Sequence, residues 1–310
     1  MVNLAELIGD LFLVIFPITM VIGYLVRKPI RLLNIGSYLQ YIVMILVFTM
    51  ALWAGNVVSS TYVTSIVVYA VAYALVSIIM SIITTMPIGM LLRSRYPKSF
   101  GSSINSTERP GVRLPIILLA VLVIGWLMGY YIKSPLITNY VNYAIVIELL
   151  ALIIVVGLDI GSSLNTSLLV QGSVGIIIGV ISILGSAIGG LIMHYIVGLP
   201  LPASLGISMG MGWYSLAGPL LSVKFGPTIG TLAFLANFLR EQFTYLIVPL
   251  IVIGGFRDLS LISVGGATAM DDTLPIYKIY MGEISGFTAF ISGFVITMML
   301  PILLPYVMML

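Results

Sequence analysis

A glutamate and an arginine stand side by side where an apolar chain has no ordinary use for either. Arg240 and Glu241 lie near the middle of Thr228–Ile253, an apolar stretch long enough to cross a bilayer. A charge at that depth costs about 2.5–3.5 kcal/mol on insertion scales, so such residues line cavities and meet an ion, a proton or a charged substrate. Asn237 and Glu241 are four residues apart and share a helical face, whereas Arg240 is turned about 100° away from Glu241. Burial and a neighbouring cation act on a carboxylate in opposite senses, which makes Glu241 a candidate for exchanging a proton against a substrate cation. The plainer alternative is a permanent ion pair with Arg240 or another residue.

Three further acids belong to the same argument. Asp271 and Asp272 follow Gly265-Gly266 and offer negative charge to a cation or a proton. For one of them the plainer role is a helix N-cap. Asp159, in Gly157-Leu158-Asp159-Ile160-Gly161, lies at the end of another apolar run, with Glu148 three turns earlier on a similar face. It is either interfacial or part of the site. Ser215, Thr268 and Thr273 add hydroxyls for hydrogen bonding, and His194, the single histidine, reads as a packed residue.

Asp271, Asp272, Ser215, Thr268 and Thr273 fall in two segments that cannot be straight helices. One reads Gly210-Met211-Gly212-Trp213-Tyr214-Ser215-Leu216-Ala217-Gly218-Pro219, the other Gly265-Gly266-Ala267-Thr268-Ala269-Met270-Asp271-Asp272-Thr273-Leu274-Pro275. Gly212, Gly218, Pro219, Gly266 and Pro275 break each segment and let two half-helices pack closely. Half-helix N-termini leave N–H groups unpaired at a positive dipole end, which suits a carboxylate. Irregular backbone at membrane depth survives only when buried in protein or lining a cavity, and paired broken segments point to a transporter's binding site.

The elements that must position these groups are spans in lipid. The chain has 310 residues, 60% hydrophobic and only 7% charged, with mean hydropathy +1.21; soluble domains carry roughly 25% charged residues. The absence of cysteine excludes disulfides, thiolate metal sites and cysteine nucleophiles. No His-Glu-x-x-His helix, Gly-x-Ser-x-Gly turn or phosphate-binding lysine loop occurs. Neither Asp159 nor Asp271 has the local sequence of a membrane aspartyl protease. The reading is therefore not an enzyme, and no cofactor or metal is expected.

Apolar runs of about 20 residues occupy roughly 7–26, 36–55, 62–92, 114–132, 141–158, 172–197, 228–253 and 284–308. They predict an all-α membrane protein of about eight transmembrane helices plus two re-entrant hairpins. The first run follows the acidic Glu6 and lacks a basic n-region, so it reads as a retained helix. With the N-terminus outside, inside loops carry ten basic residues: Arg27, Lys28, Arg31, Arg93, Arg95, Lys98, Arg109, Arg113, Arg257 and Lys278. Lys133 and Lys224 fall outside. The positive-inside rule thus places both termini outside, with Arg93–Arg113 a cytoplasmic connector that reads as a solvated loop or lipid anchor, not a nucleic-acid site.

Two internal repeats agree with that topology. A shift of 106 residues puts Gly23-Tyr24 on Gly129-Tyr130, Pro29 on Pro135 and Gly55 on Gly161. Each copy holds three crossings, so the two are inverted. A shift of 56 residues puts Gly210, Pro219, Gly226 and Gly230 on Gly266, Pro275, Gly282 and Gly286, and Phe234, Phe238 and Pro249 on Phe290, Phe294 and Pro305. The expected division is a six-span scaffold or dimer face over 1–200, made of repeats 1–92 and 114–198. A substrate-handling unit over 201–310 follows, made of hairpin-plus-helix repeats 206–253 and 259–308.

Gly212-Trp213-Tyr214-Ser215-Leu216-Ala217-Gly218-Pro219, followed by Phe225-Gly226-Pro227, resembles the signature of the bacterial and archaeal lysine exporter family (LysO-type). So do Arg240-Glu241 and Gly266-Ala267-Thr268-Ala269-Met270-Asp271 with Thr273-Leu274-Pro275. The resemblance implies a multi-pass inner-membrane secondary transporter that exports L-lysine or a related cationic amino acid, by proton antiport with alternating access. It also implies that Glu241 matches a carboxylate needed for transport. Family members carry another acid near the end of the second span, where this chain has Trp53-Ala54-Gly55-Asn56-Val57-Val58-Ser59. Asp159 occupies the repeat-related position to Trp53 and is the candidate to replace it. In this reading the ammonium groups of lysine meet Glu241 and Asp271 or Asp272, and its carboxylate sits at a hairpin dipole. The alternative is a sodium-coupled carrier of a small carboxylate, with Arg240 as the anion partner and the aspartates holding Na+.

Overall fold

Backbone polar groups in lipid must find partners within the chain, and helices satisfy them locally. The computed structural model is accordingly mostly helical over the residues it describes, 4–32, 38–57, 63–95, 113–163 and 172–310. The connector expected over Arg93–Arg113 lies mostly outside the described residues. Helix α1 spans Leu4–Leu25, α2 Arg27–Leu32, α3 Leu39–Val57, α4 Val63–Arg95, α5 Arg113–Ile132, α6 Pro135–Ser163 and α7 Ser173–Val197. Two short helices follow, α8 Leu201–Met209 and α9 Tyr214–Phe225, then the long α10 Pro227–Ile253. After two 3-10 turns, Leu259–Val264 and Gly266–Met270, the chain closes with α11 Leu274–Met281 and α12 Glu283–Met308. Thr64–Leu91, Ser173–Val197, Pro227–Ile253 and Ile284–Met308 are long and apolar enough to cross a membrane, and Val14–Leu25, Tyr41–Asn56 and Ala120–Ile132 are shorter apolar helices.

The helices sort into two groups. In the first, α1 lies along α6, α3 along α5, and α3 along α6. Glycines make these approaches close: Gly23 faces the backbone of Leu158, Gly161 that of Met20, Gly129 that of Leu52 and Gly55 that of Trp126. The contacts exchange under the offset of 106, since Gly23 with Leu158 becomes Gly129 with Leu52. In the second group α4 crosses α7, and both pack on the elements from α8 to α12. The groups meet where α3 and α6 touch α9, α3 touches α10 and α1 touches α12. The main apolar core, including Phe16, Leu46, Tyr73, Leu149, Leu220, Phe234 and Leu304, runs across this meeting.

The segments read as broken helices are broken in two different ways. The first is a helix, a four-residue tip and a helix. The second starts instead with 3-10 turns, because Asp258 caps the Ser260 N–H at 2.8 Å and Gly265 N–H is taken by Tyr277 Oη at 2.9 Å. Beyond the tips the two match. Gly226 and Gly282 end one helix and start the next with nearly the same backbone, φ 89° ψ 166° and φ 92° ψ 168°. Phe234 stacks on Phe238 and Phe290 on Phe294, each with ring centroids 6.1 Å apart.

Candidate functional site

The two tips touch. Ala267 N–H donates to Met211 O at 2.9 Å, and these residues correspond under the offset of 56. Met211 adopts φ 48°, a left-handed conformation uncommon for a residue that carries a Cβ, and Gly212 follows at φ 90°. Asn237 holds this turn. Its Oδ1 accepts from Gly212 N–H at 2.9 Å, while its Nδ2 donates to Ile207 O and Ala233 O, each at 2.9 Å. Asn237 is thus spent on the first tip. Gly218 and Pro219 are buried within α9, with Gly218 against Phe234 and Met50, and Ser215 is buried one residue into the same helix.

The second tip is stitched by hydroxyls. Thr268 Oγ1 donates to Gly265 O at 2.9 Å and lies 3.3 Å from Thr273 Oγ1. Tyr277 Oη donates to Ile262 O at 3.2 Å, and Tyr245 Oη on α10 donates to Asp272 O at 2.8 Å. That last bond sets the acidic turn beside Glu241, one helical turn before Tyr245. Asp271 is exposed, Asp272 half-buried, and Asp271 Oδ1 accepts from Asp272 N–H at 2.7 Å. Pro275 lies in the first turn of α11.

Glu241 is wholly buried, at 0% exposure. Its Oε1 accepts from Gln242 Nε2 at 3.3 Å, and among the described residues Oε2 has no hydrogen-bond partner. Asp271 and Asp272 are held near it by the Tyr245 bond to Asp272 O, four residues along α10 from Glu241. Tyr214 packs edge-on against Phe234 and Phe238, at 5.2 and 5.7 Å between centroids. An acidic cluster with aromatic walls therefore forms between the two tips and α10. An unpaired buried carboxylate is expensive to desolvate, so a cluster of this kind accepts protons or a cation.

Arg240 does not supply that cation. It is turned to the opposite side, where its Nη1 donates to Ser186 Oγ at 2.7 Å and its Nη2 to Ser81 Oγ at 3.2 Å and Ser263 O at 2.8 Å. Its Nε donates to Val264 O at 3.1 Å. Among the described residues no carboxylate pairs with it. Asp159 is half-buried on α6. Glu148, on the same helix, accepts from Thr49 Oγ1 at 2.9 Å. His194 is packed: its Nδ1 lies 2.6 Å from Leu199 O and its ring rests on Tyr195.

A family profile described as "Lysine exporter LysO" matches residues 119–308. The chain belongs to the lysine exporter family. The matched region takes in both tips, α10 and the acidic cluster, and family and apolar helices together make this a multi-pass membrane protein. Among curated relatives, the "Lysine exporter LysO" of Escherichia coli (strain K12) is 32% identical over 192 residues, 61% of this chain. The alignment spans 62% of that relative's length. A relative from Haemophilus influenzae is 35% identical over 190 residues, 60% of this chain and 94% of the relative. No solved structure matches.

Tyr214, Tyr245, Tyr277, Ser81 and Ser186 were not singled out by the sequence as site residues. Tyr245 carried a usable signal, being four residues after Glu241 on the same face. The serines carried none, since a hydroxyl on an apolar helix does not announce an arginine more than 50 residues away.

Proposed function

We propose that this protein is a secondary transporter exporting L-lysine, or a related cationic amino acid, across the cell membrane in exchange for protons. The observation that carries the reading is the buried, unpaired Oε2 of Glu241 beside Asp271 and Asp272, with the neighbouring Arg240 turned away and bonded elsewhere. In one state protons neutralise the cluster; in the other the two ammonium groups of lysine do. The substrate carboxylate sits at the half-helix ends of the tips. Family membership and the name of the Escherichia coli relative support lysine as the cargo.

The alternating-access part of the reading rests on architecture. It takes eight crossings with both termini outside, two inverted three-helix repeats, and two re-entrant hairpins entering from opposite faces to meet at the midplane. The exchanging glycine contacts at offset 106 and the paired glycine backbones at offset 56 support it. Asp159 remains a candidate second proton site, half-buried on α6.

Counterflow of labelled lysine in proteoliposomes tests the proposal. Saturable uptake accelerated by an opposing pH gradient is the expected result. Sodium-dependent dicarboxylate uptake without lysine counterflow would replace it with a carboxylate carrier.

A further inference from the structure

Arg240 has more donors engaged than any other side chain described in the second group of helices, and they reach three elements besides its own α10. Through Ser186 it holds α7, through Ser81 it holds α4, and through the carbonyls of Ser263 and Val264 it holds the 3-10 arm leading to the second tip. Ser81 Oγ and Ser186 Oγ are themselves 3.1 Å apart, at a crossing so close that a Cβ on Gly185 would meet Ser81 Cα at 2.6 Å. Two more bonds follow the same seam. Tyr73 Oη on α4 lies 2.7 Å from Ser204 Oγ on α8, and Thr85 Oγ1 donates to Ser263 Oγ at 3.3 Å. Helix α4 thus presents a polar ladder to the arms that lead to the two tips. Across the other boundary, toward α3, the contact at Gly218 is the thioether of Met50.

We propose that Arg240 is a positioning residue that binds α4, α7, α10 and the arm of the second tip into one rigid body, which slides as a unit against α1, α3, α5 and α6. A buried guanidinium with no carboxylate partner is a poor source of stability. It is well suited to joining carbonyls and hydroxyls from several directions, because its planar fork holds its donors in fixed geometry. An apolar boundary such as Met50 on Gly218 has no directional bonds to break when it slides. The unit drawn from sequence over 201–310 therefore gains α4 and α7. This inference rests on the transport reading above for its purpose, but not for its geometry.

The test replaces the brace by a covalent one. The chain contains no cysteine, so Thr85→Cys with Ser263→Cys introduces a single pair, which is bridged as a disulfide or with Hg2+. Two measurements are made in lipid on the parent, on Arg240→Gln, and on Arg240→Gln with the pair bridged. The first is amide hydrogen exchange over 259–270, which should rise about tenfold or more in Arg240→Gln and return toward the parent on bridging. The second is lysine export, in which the KM should rise with the misplaced tip and fall again on bridging. Unchanged exchange in Arg240→Gln overturns the brace. Exchange restored without export restored also overturns it, because Arg240 then acts on substrate itself. A parent that exports no lysine refutes the substrate reading, and the exchange data still decide the brace. Arg240→Gln that fails to insert leaves Arg240→Lys, whose single ammonium reaches fewer acceptors and should give an intermediate rise in exchange.

Discussion

Gly266→Ala and Gly198→Ala form a matched pair that isolates the contact between the tips. Both glycines have positive φ, +61° and +77°, so an alanine at either carries the left-handed penalty of about 1–2 kcal/mol. Their surroundings differ. Nothing lies within 4 Å of a Cβ at Gly198, whereas one at Gly266 would be driven into the Met211 carbonyl, with the carbonyl carbon at 3.0 Å and Met211 Cβ at 3.1 Å. The tips must then part, which overpacks their neighbours at about 1–3 kcal/mol. It also weakens the Ala267 N–H to Met211 O bond, worth about 0.5–1.5 kcal/mol net. Gly266→Ala should therefore be less stable than Gly198→Ala by about 2–4 kcal/mol. Denaturant unfolding in mixed micelles, followed by circular dichroism, measures the difference, and export assays accompany it. Gly198→Ala should export normally and Gly266→Ala should not. Equal stabilities with full export in both variants would refute the meeting of the tips.

Glu241→Gln keeps the shape of the side chain and removes its charge, so it should insert and fold while losing export driven by a pH gradient; full export would take Glu241 out of the mechanism. Replacing Asp271, which is exposed, and Asp272, which is half-buried, together with asparagine should weaken lysine binding by about 1 kcal/mol or more, the exposed-pair value being the lower bound. Calorimetric titration reads this, with neutral amino acids as the control, and an unchanged lysine affinity would point to a carboxylate substrate. For sidedness, single cysteines at the exposed positions Pro200 and Gly254 should label with impermeant reagent from outside and inside respectively. Labelling from one side only would break the opposed-hairpin topology.

The apolar runs were legible because a bilayer imposes its thickness on sequence, and each of the eight runs coincides with a helix. The offset of 56 was legible for a different reason. Glycines at 226 and 282 hold a backbone that side chains avoid, so the same residue type recurs where the same turn recurs. Glu241 and the aspartates stood out by their cost in lipid. Their common location came from Tyr245 and the fold of the second tip, which no periodicity encodes. Helical spacing separated Arg240 from Glu241 by face, yet it gave no way to name what each face meets. Asn237 shows the same limit: its place on the face of Glu241 gave no hint that its amide bonds Gly212, Ile207 and Ala233. The 3-10 form of the second arm was also hidden, because it depends on a distant phenol taking Gly265 N–H.

The order in which the chain is made bears on Arg240. Two of its acceptors, Ser81 and Ser186, are synthesised and inserted before α10 leaves the ribosome. The other two follow it by 23 and 24 residues, at Ser263 and Val264. For that interval α10 carries a charge with half of its final partners, in a medium where an unmet charge costs several kcal/mol. In a chain stalled just after α10, the earlier apolar helices hold the polypeptide while Arg240 keeps α10 itself less firmly seated than its neighbours. The carbonyls of the second arm then complete the set of acceptors for Arg240.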